Sequence, residues 1–222
     1  YSSQDADTEA GEGAFFVWTP NQIHEAVGDE TGKIVCQYLG VEEGGNFEHG
    51  TSVLHVAQSP ETMEKRFQQP WIEISQKIED ARQKLLQVRE QREKPLTDTK
   101  VLTDWNGLMI SALAFAGNVL DEPRYTETAQ NACRYLLKTH RRDNSLLHTS
   151  KDGKAHTLGF LSDYAFFANG LLDTYEASRD TEWLIEAKHI ADEMLERFWD
   201  AEHGGFYFTE AGQKDLIARS KS

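Results

Sequence analysis

The chain has only two cysteines, and Cys36 and Cys133 stand too far apart to form a C-x-x-C pair or a ligand cluster. Nothing here indicates a disulfide framework, and two buried thiols in a reducing, cytoplasmic setting are expected. No apolar run approaches the ~18 residues a membrane-spanning helix requires. No charged-then-apolar leader precedes the first apolar segment. Positive charge is scarce as well: 23 Lys and Arg against 37 Asp and Glu give a formal net charge of −14. Such a balance repels phosphate backbones and anionic lipid, so neither nucleic acid nor a membrane is an expected partner. The eight histidines form no H-E-x-x-H pair and no Ser-His-Asp order, and no glycine-rich phosphate loop is visible.

What the chain does have is 39% hydrophobic residues over 222 positions, enough to bury a core, and an internal repeat. Leu113, Tyr125, Ala129, Ala132, Leu136 and Leu137 recur 58 positions on as Leu171, Trp183, Ala187, Ile190, Met194 and Leu195. Upstream the register slips by one, so that Asp104-Trp105 corresponds to Asp163-Tyr164. Each copy reads as an acid-aromatic entry, a helix, a short acidic turn, a second helix and a Gly-rich or Asn-rich exit. A lone hairpin cannot cover its apolar face, so such units stack, and a closed stack makes a ring with a central mouth. The predicted fold is therefore mainly α, a partial α/α toroid with short β segments near the N-terminus and in the hairpin exits. Residues 1–69 read as a mixed segment of strand and short helices, and residues 70–222 as helical hairpins, within one incomplete toroid domain. The second exit, "GGFYFTEAG" from Gly204 to Gly212, resembles the opening "YSSQDADTEAGEG". Tyr1 then stands where Tyr207 stands, and the expectation is a piece of a longer protein whose first hairpins lie elsewhere.

Local signals fill in the elements. "AFFVW", Ala14 to Trp18, reads as a strand, followed by a helix capped at Thr19 with Pro20 at its first position. Short helices are predicted over 20–27 and 31–39, split by Gly28, and a short strand over Val53 to Val56. From Pro70, the stripe Ile74, Ile78, Ala81, Leu85 and Val88 predicts a long helix that Pro95 stops. Residues 96–103 read as a loop. The repeat helices are placed at 105–120, up to His140 for the second, 163–178 and 181–199. Asp121 and Asp180 are the expected caps of the second helix of each pair, and a short hairpin is expected around Asp152-Gly153.

Two carboxylates carry the functional reading. Asp104 and Asp163 open equivalent buried helices, which would set two acids on one rim, the layout glycosidic acid/base chemistry needs. Trp105 and Tyr164 would offer rings for sugar stacking, and Asn106 a hydrogen-bonding amide. The plain alternative is that Asp104, Thr103, Ser162 and Asp163 serve as helix caps and first-turn acids. Asp5 and Asp7 in the acidic opening loop, and Asn46 and Glu48 in "GGNFEHG", are further ligand-contact candidates. The opening loop fails the calcium-loop pattern, since Ala10 and Phe16 hold its Gly and Glu positions, and no metal or other cofactor is expected.

"YSSQDADTEAGEGAFFVWTPNQI", "GNFE", "VLTDWNGLMISALAFAG", "GFLSDYAF" and "WDAEHGGFYFTE" together resemble the C-terminal region of thioredoxin-domain-containing proteins related to spermatogenesis-associated protein 20. The resemblance implies a six-hairpin, glycosidase-like α/α toroid, with a thioredoxin-like domain and the first hairpins upstream. It also implies that Ser162 replaces an acidic residue found in many members. Toroids of this kind resemble those of sugar 2-epimerases, which shuttle protons with inner-helix histidines, and of glycosidases, which use carboxylates. The two buried helices here carry Asp and no His, which favours carboxylate chemistry or plain sugar binding. The expected function is a carbohydrate-active or carbohydrate-binding domain; the alternative is a non-catalytic interaction module serving the chain's own thioredoxin-like domain.

Overall fold

In the computed structural model the structure describes residues 1–211 and 218–221. It falls into two compact units, one of Gln4–Thr97 and one of Tyr1–Ser3 with Asp98–Ser222. The boundary expected near residue 70 thus lies further on. The long helix that opens the expected hairpin region belongs with the short helices before it, because its apolar stripe is spent on them.

In the first unit, after β1 (Ser3–Gln4), β2 (Asp7–Thr8) pairs with β3 (Gly11–Glu12) in a small acidic hairpin. Helix α1 (Pro20–Val27) begins at Thr19 with a full capping box: Gln22 N–H donates to the Thr19 hydroxyl, and Thr19 N–H to the Gln22 side chain. Gly28, at φ 85°, breaks the chain before α2 (Asp29–Leu39). A short turn over Glu48–Gly50 leads to α3 (Pro60–Phe67), which was not among the expected helices although Ser59 caps it and Pro60 stands at its first position, and to α4 (Trp71–Arg89). Ile74 and Ile78 of α4 meet Ile34 and Met63, while Ala81 and Leu85 meet Trp18, Ile23 and Val35. Residues 14–18 are not a strand. The Arg92 guanidinium donates to the carbonyls of Ala14, Phe15 and Val17 at 3.3, 3.0 and 2.7 Å and lies 4.0 Å over the Trp18 ring. Those carbonyls are satisfied by a side chain in place of a neighbouring strand. Only Trp18 pairs, with Ser52, and Val53 to Val56 likewise form no strand.

In the second unit the expected loop before the repeat holds two short strands, β4 (Thr97–Asp98) and β5 (Val101–Leu102). The first hairpin is α5 (Thr103–Val119) and α6 (Pro123–Thr139), and the second is α7 (Leu161–Ser178) and α8 (Thr181–Phe198). Between them lie β6 (Arg141–Arg142), β7 (Ser145–Lys151) and β8 (Lys154–Leu158), with the expected turn at Asp152-Gly153. Strand β7 is central, antiparallel to β5, β6 and β8. Asp180 caps α8 through Glu182 N–H as expected. Asp121 caps nothing: it takes φ 51° in the turn, and Glu122 precedes α6 without a side-chain cap. The last residue of the second exit, Gly212, lies outside the described residues.

Helices α5 and α7 run side by side in the same direction, with Asp104 meeting Asp163 at their starts and Ser111 meeting Asn169 further along. Two glycines permit this approach. A Cβ on Gly107 would sit 2.6 Å from the Phe166 carbonyl carbon, and one on Gly170 would sit 2.9 Å from the Gly107 oxygen. The core behind them holds Ile110, Ala114, Phe167, Leu171, Trp183 and Ile190, and the equivalent Ala129 and Ala187 are both buried. Gly107→Ala is expected to cost about 1–3 kcal/mol through forced separation of backbones. Urea unfolding checks this, and an unchanged midpoint would mean that the two helices are free to part.

Candidate functional site at the starts of the two parallel helices

The shared end of α5 and α7 gathers Asp104, Asp163, Ser162, Trp105 and, from β7, His148. Asp163 is the third residue of α7 and has no exposed surface. Its Oδ2 accepts from Phe160 N–H at 2.7 Å, and its Oδ1 from Asp104 N–H at 3.0 Å. Both oxygens lie within reach of His148 Nδ1, at 3.1 and 3.0 Å. Burial pushes its pKa from 3.8 up to about 6, against the pull of the Phe160 N–H and of His148; the charge of Asp104 adds to the rise.

His148 presents its Nδ1 to Asp163 and makes no Nε2 hydrogen bond among the described residues; its side chain is 23% exposed. Its ring meets Phe160 edge-on at 5.0 Å, and Phe160 stacks on Phe208 at 5.2 Å. With Nδ1 held against the carboxylate, Nε2 is the ring nitrogen without a partner among the described residues, so the buried Asp163 orients a partly exposed imidazole. Asp104 is half-buried; its Oδ1 accepts from Trp105 N–H at 2.8 Å and its Oδ2 from the Ser162 hydroxyl at 3.4 Å.

A second network, buried at Thr103, His140 and Ser150, fixes β7 against α5. Thr103 donates its hydroxyl to the Leu147 carbonyl at 2.6 Å and meets His140 Nδ1 at 2.7 Å. His140 Nε2 meets the Ser150 hydroxyl at 2.7 Å, and Ser150 meets the Tyr135 hydroxyl at 3.3 Å. Burial lowers the His140 pKa, which keeps the ring neutral in this network.

The expected site residues divide. Neither Asp104 nor Thr103 caps α5, which follows Leu102 without a side-chain cap, and Ser162 spends its hydroxyl on Asp104. Trp105 is 54% exposed and available to a ligand, but Tyr164 is 1% exposed. The Tyr164 ring packs against Phe198 and its hydroxyl accepts from Leu146 N–H at 2.8 Å, so it is a core residue and no sugar platform. Asn106 donates to the carbonyl of Leu102, the residue just before its own helix, at 2.8 Å. The other candidates belong to the first unit. Asn46 is a loop brace, donating to Val53 O at 3.0 Å and accepting from Val53 N–H at 2.7 Å. Glu48 is exposed, and Asp5 and Asp7 are solvated in the acidic hairpin, where Asp7 N–H donates to Asp5. His148 is the residue that sequence reasoning passed over. The Asp152-Gly153 turn announced its hairpin, but only packing decides that this strand crosses the two helix starts.

One donor atom each from Asp104, His148 and Asp163 lie within 4.8 Å of one another. A cation could join them only by displacing the His148–Asp163 bond. Of the two carboxylates only Asp104 is open to solvent in this structure, since Asp163 is sealed.

No protein-family model matches the chain. It aligns along 95% of its length with spermatogenesis-associated protein 20 of Homo sapiens, at 34% identity over 246 residues, and of Rattus norvegicus, at 35%. The chain is a relative of spermatogenesis-associated protein 20. It spans 31% of the length of these relatives. An uncharacterized protein of Caenorhabditis elegans aligns over 99% of the chain at 27% identity. Among solved structures, a cellobiose 2-epimerase from Spirochaeta thermophila matches 52% of this chain and 30% of its own, at 23% identity and TM-score 0.47. A sugar epimerase from a ruminal bacterium matches 73% of this chain and 46% of its own, at 14% identity and TM-score 0.47. Among the described residues, no helix is long and apolar enough to cross a membrane.

The raised pKa of Asp163 has a thermodynamic signature. Its folded value of about 6 lies above the unfolded carboxylate value, so its contribution is fully present below the unfolded pKa and is lost as pH rises through about 6. Wild type is therefore expected to lose stability relative to Asp163→Asn between about pH 4 and about pH 7. Asn also turns an N–H₂ toward groups that donate, so the variant carries a pH-independent loss as well. Urea midpoints of both proteins across this range test the sign, and parallel curves would exclude a titrating Asp163.

Proposed function

We propose that this chain is a carbohydrate-directed domain in which His148, held by Asp163, moves a proton at a ligand bound beside Trp105. The observation that supports it best is the pairing of a sealed carboxylate with a partly exposed imidazole at the two helix starts that also carry the exposed Trp105. The indole face offers a stacking surface for a sugar ring, and the Asp104 carboxylate an acceptor for its hydroxyls. In this reading Asp163 is a positioning residue and His148 the acid/base. That moves the chemistry from the two-carboxylate, glycosidase-like reaction toward proton transfer of the epimerase or isomerase kind, because a histidine reaches the site from the hairpin although neither helix carries one there. The reading extends to a parent protein with a thioredoxin-like domain, which this domain would serve with its sugar chemistry.

A second reading has its own support. An apolar stripe along α5 is exposed, as an interaction module would require. The two readings separate on ligands. A panel of mono- and disaccharides, followed by thermal shift and product analysis, is expected to yield at least one stabilising sugar. Trp105→Ala should weaken its Kd about tenfold, the worth of roughly 1.4 kcal/mol of stacking. His148→Gln should keep binding and stop turnover or solvent proton exchange. Absence of any sugar shift favours the interaction module, and turnover retained in His148→Gln removes the imidazole from the chemistry.

A further inference from the structure

The exposed face of α5 is a continuous apolar stripe. Trp105, Leu108, exposed Ala112, Phe115 and Val119 recur at steps of three or four, with Met109 beside Leu108; the five large side chains Trp105, Leu108, Met109, Phe115 and Val119 are 54, 51, 59, 69 and 62% exposed. The opposite face, Gly107, Ile110, Ala114 and Gly117, is buried and faces the rest of the unit. A helix that is apolar all round belongs inside a structure, and here only one side of it is covered.

The repeat says what the bare side is for. With the register that pairs Asp104 with Asp163, Trp105, Leu108 and Met109 correspond to Tyr164, Phe167 and Ala168, all three buried. Phe167 shares its cluster with Ile110 and Ala114 of α5, and Gly107 of α5 packs directly on the Phe166–Phe167 backbone. In the second copy, then, this face lies among core residues beside the first copy's helix. In the first copy the same face is bare.

We infer that the Trp105–Val119 stripe is the seat of one further helical hairpin of the same repeat, packing on α5 as α5 packs on α7. Its source is the rest of a longer polypeptide, since relatives at 34 and 35% identity carry more than twice as much chain beyond the part matched here. The arriving helix offers a small residue opposite Leu108 and Met109, as Gly107 does opposite Phe167, and its start lies beside Trp105. This inference rests on the repeat and not on the sugar reading, with which it shares Trp105.

Met109 reports on the seat without any substitution. Of the three methionines Met109 lies on the stripe and Met63 is fully buried, so peroxide oxidation followed by peptide mass analysis reads the seat against an internal control. In the 222-residue chain Met109 oxidises at the rate of an exposed thioether at every protein concentration. In the polypeptide extended to the length of its relatives it should oxidise about tenfold more slowly, and Phe115→Glu there should restore the fast rate. Equal rates in the short and long chains overturn the inference. So does protection in the short chain that grows with concentration and tracks a dimer by sedimentation, because the occupant is then a second copy.

Discussion

The Asp163 carboxylate takes hydrogen bonds from Phe160 N–H, from Asp104 N–H and from His148, which belong to the loop before α7, the start of α5 and strand β7. Three segments far apart in sequence are thereby tied to one buried group. A buried carboxylate is tolerated only when its lone pairs are filled, so each donor secures the position of the other two. The residue that would be a helix-start acid in isolation is here the fastening between the two hairpins. The same burial that demands three donors also lifts the proton affinity of Asp163, which gives the fastening a chemical consequence.

The rest of the site depends on how closely two helices approach and on what holds the strand across their ends. Gly107 and Gly170 remove the side chains that would keep α5 and α7 apart, and without that contact the Asp104 amide would not reach Asp163. Thr103 and His140 then bind the Leu147 carbonyl and the Ser150 hydroxyl, the residues around His148 on β7. A neutral, fully satisfied imidazole in the core thus sets the position of a second imidazole at the surface. The two histidines differ because one has both nitrogens engaged and the other, among the described residues, engages only Nδ1.

Much of this architecture was legible in the chain. The 58-residue recurrence, Thr19 followed by Pro20, Asp180 before α8 and the Asp152-Gly153 turn each carry a local physical signal, and each placed its element to within a residue or two. Where local signals failed, a distant group had taken over the job. The Ala14–Trp18 segment reads as a strand from its composition, but Arg92 supplies the hydrogen bonds a neighbouring strand would have supplied. Asp104 and Ser162 look like caps, yet their side chains turn to one another across the hairpins. Tyr164 looked like a platform because an aromatic beside an acid is ambiguous until burial is known; the same pattern left Trp105 outside and put Tyr164 in the core.

The sequence by itself determined the helical hairpins, their repetition, and the placing of an acid and an aromatic at each inner helix start, because these follow from periodicity and turn chemistry within short windows. It did not determine which acid would be sealed and which left half-open, nor that His148 would stand against one of them. Those facts depend on contacts between residues 15 to 59 positions apart, whose geometry is set by the backbone approach at two glycines and by a strand laid over two helix ends. Solvent access and proton affinity are properties of that packed arrangement, and no window of the chain contains them.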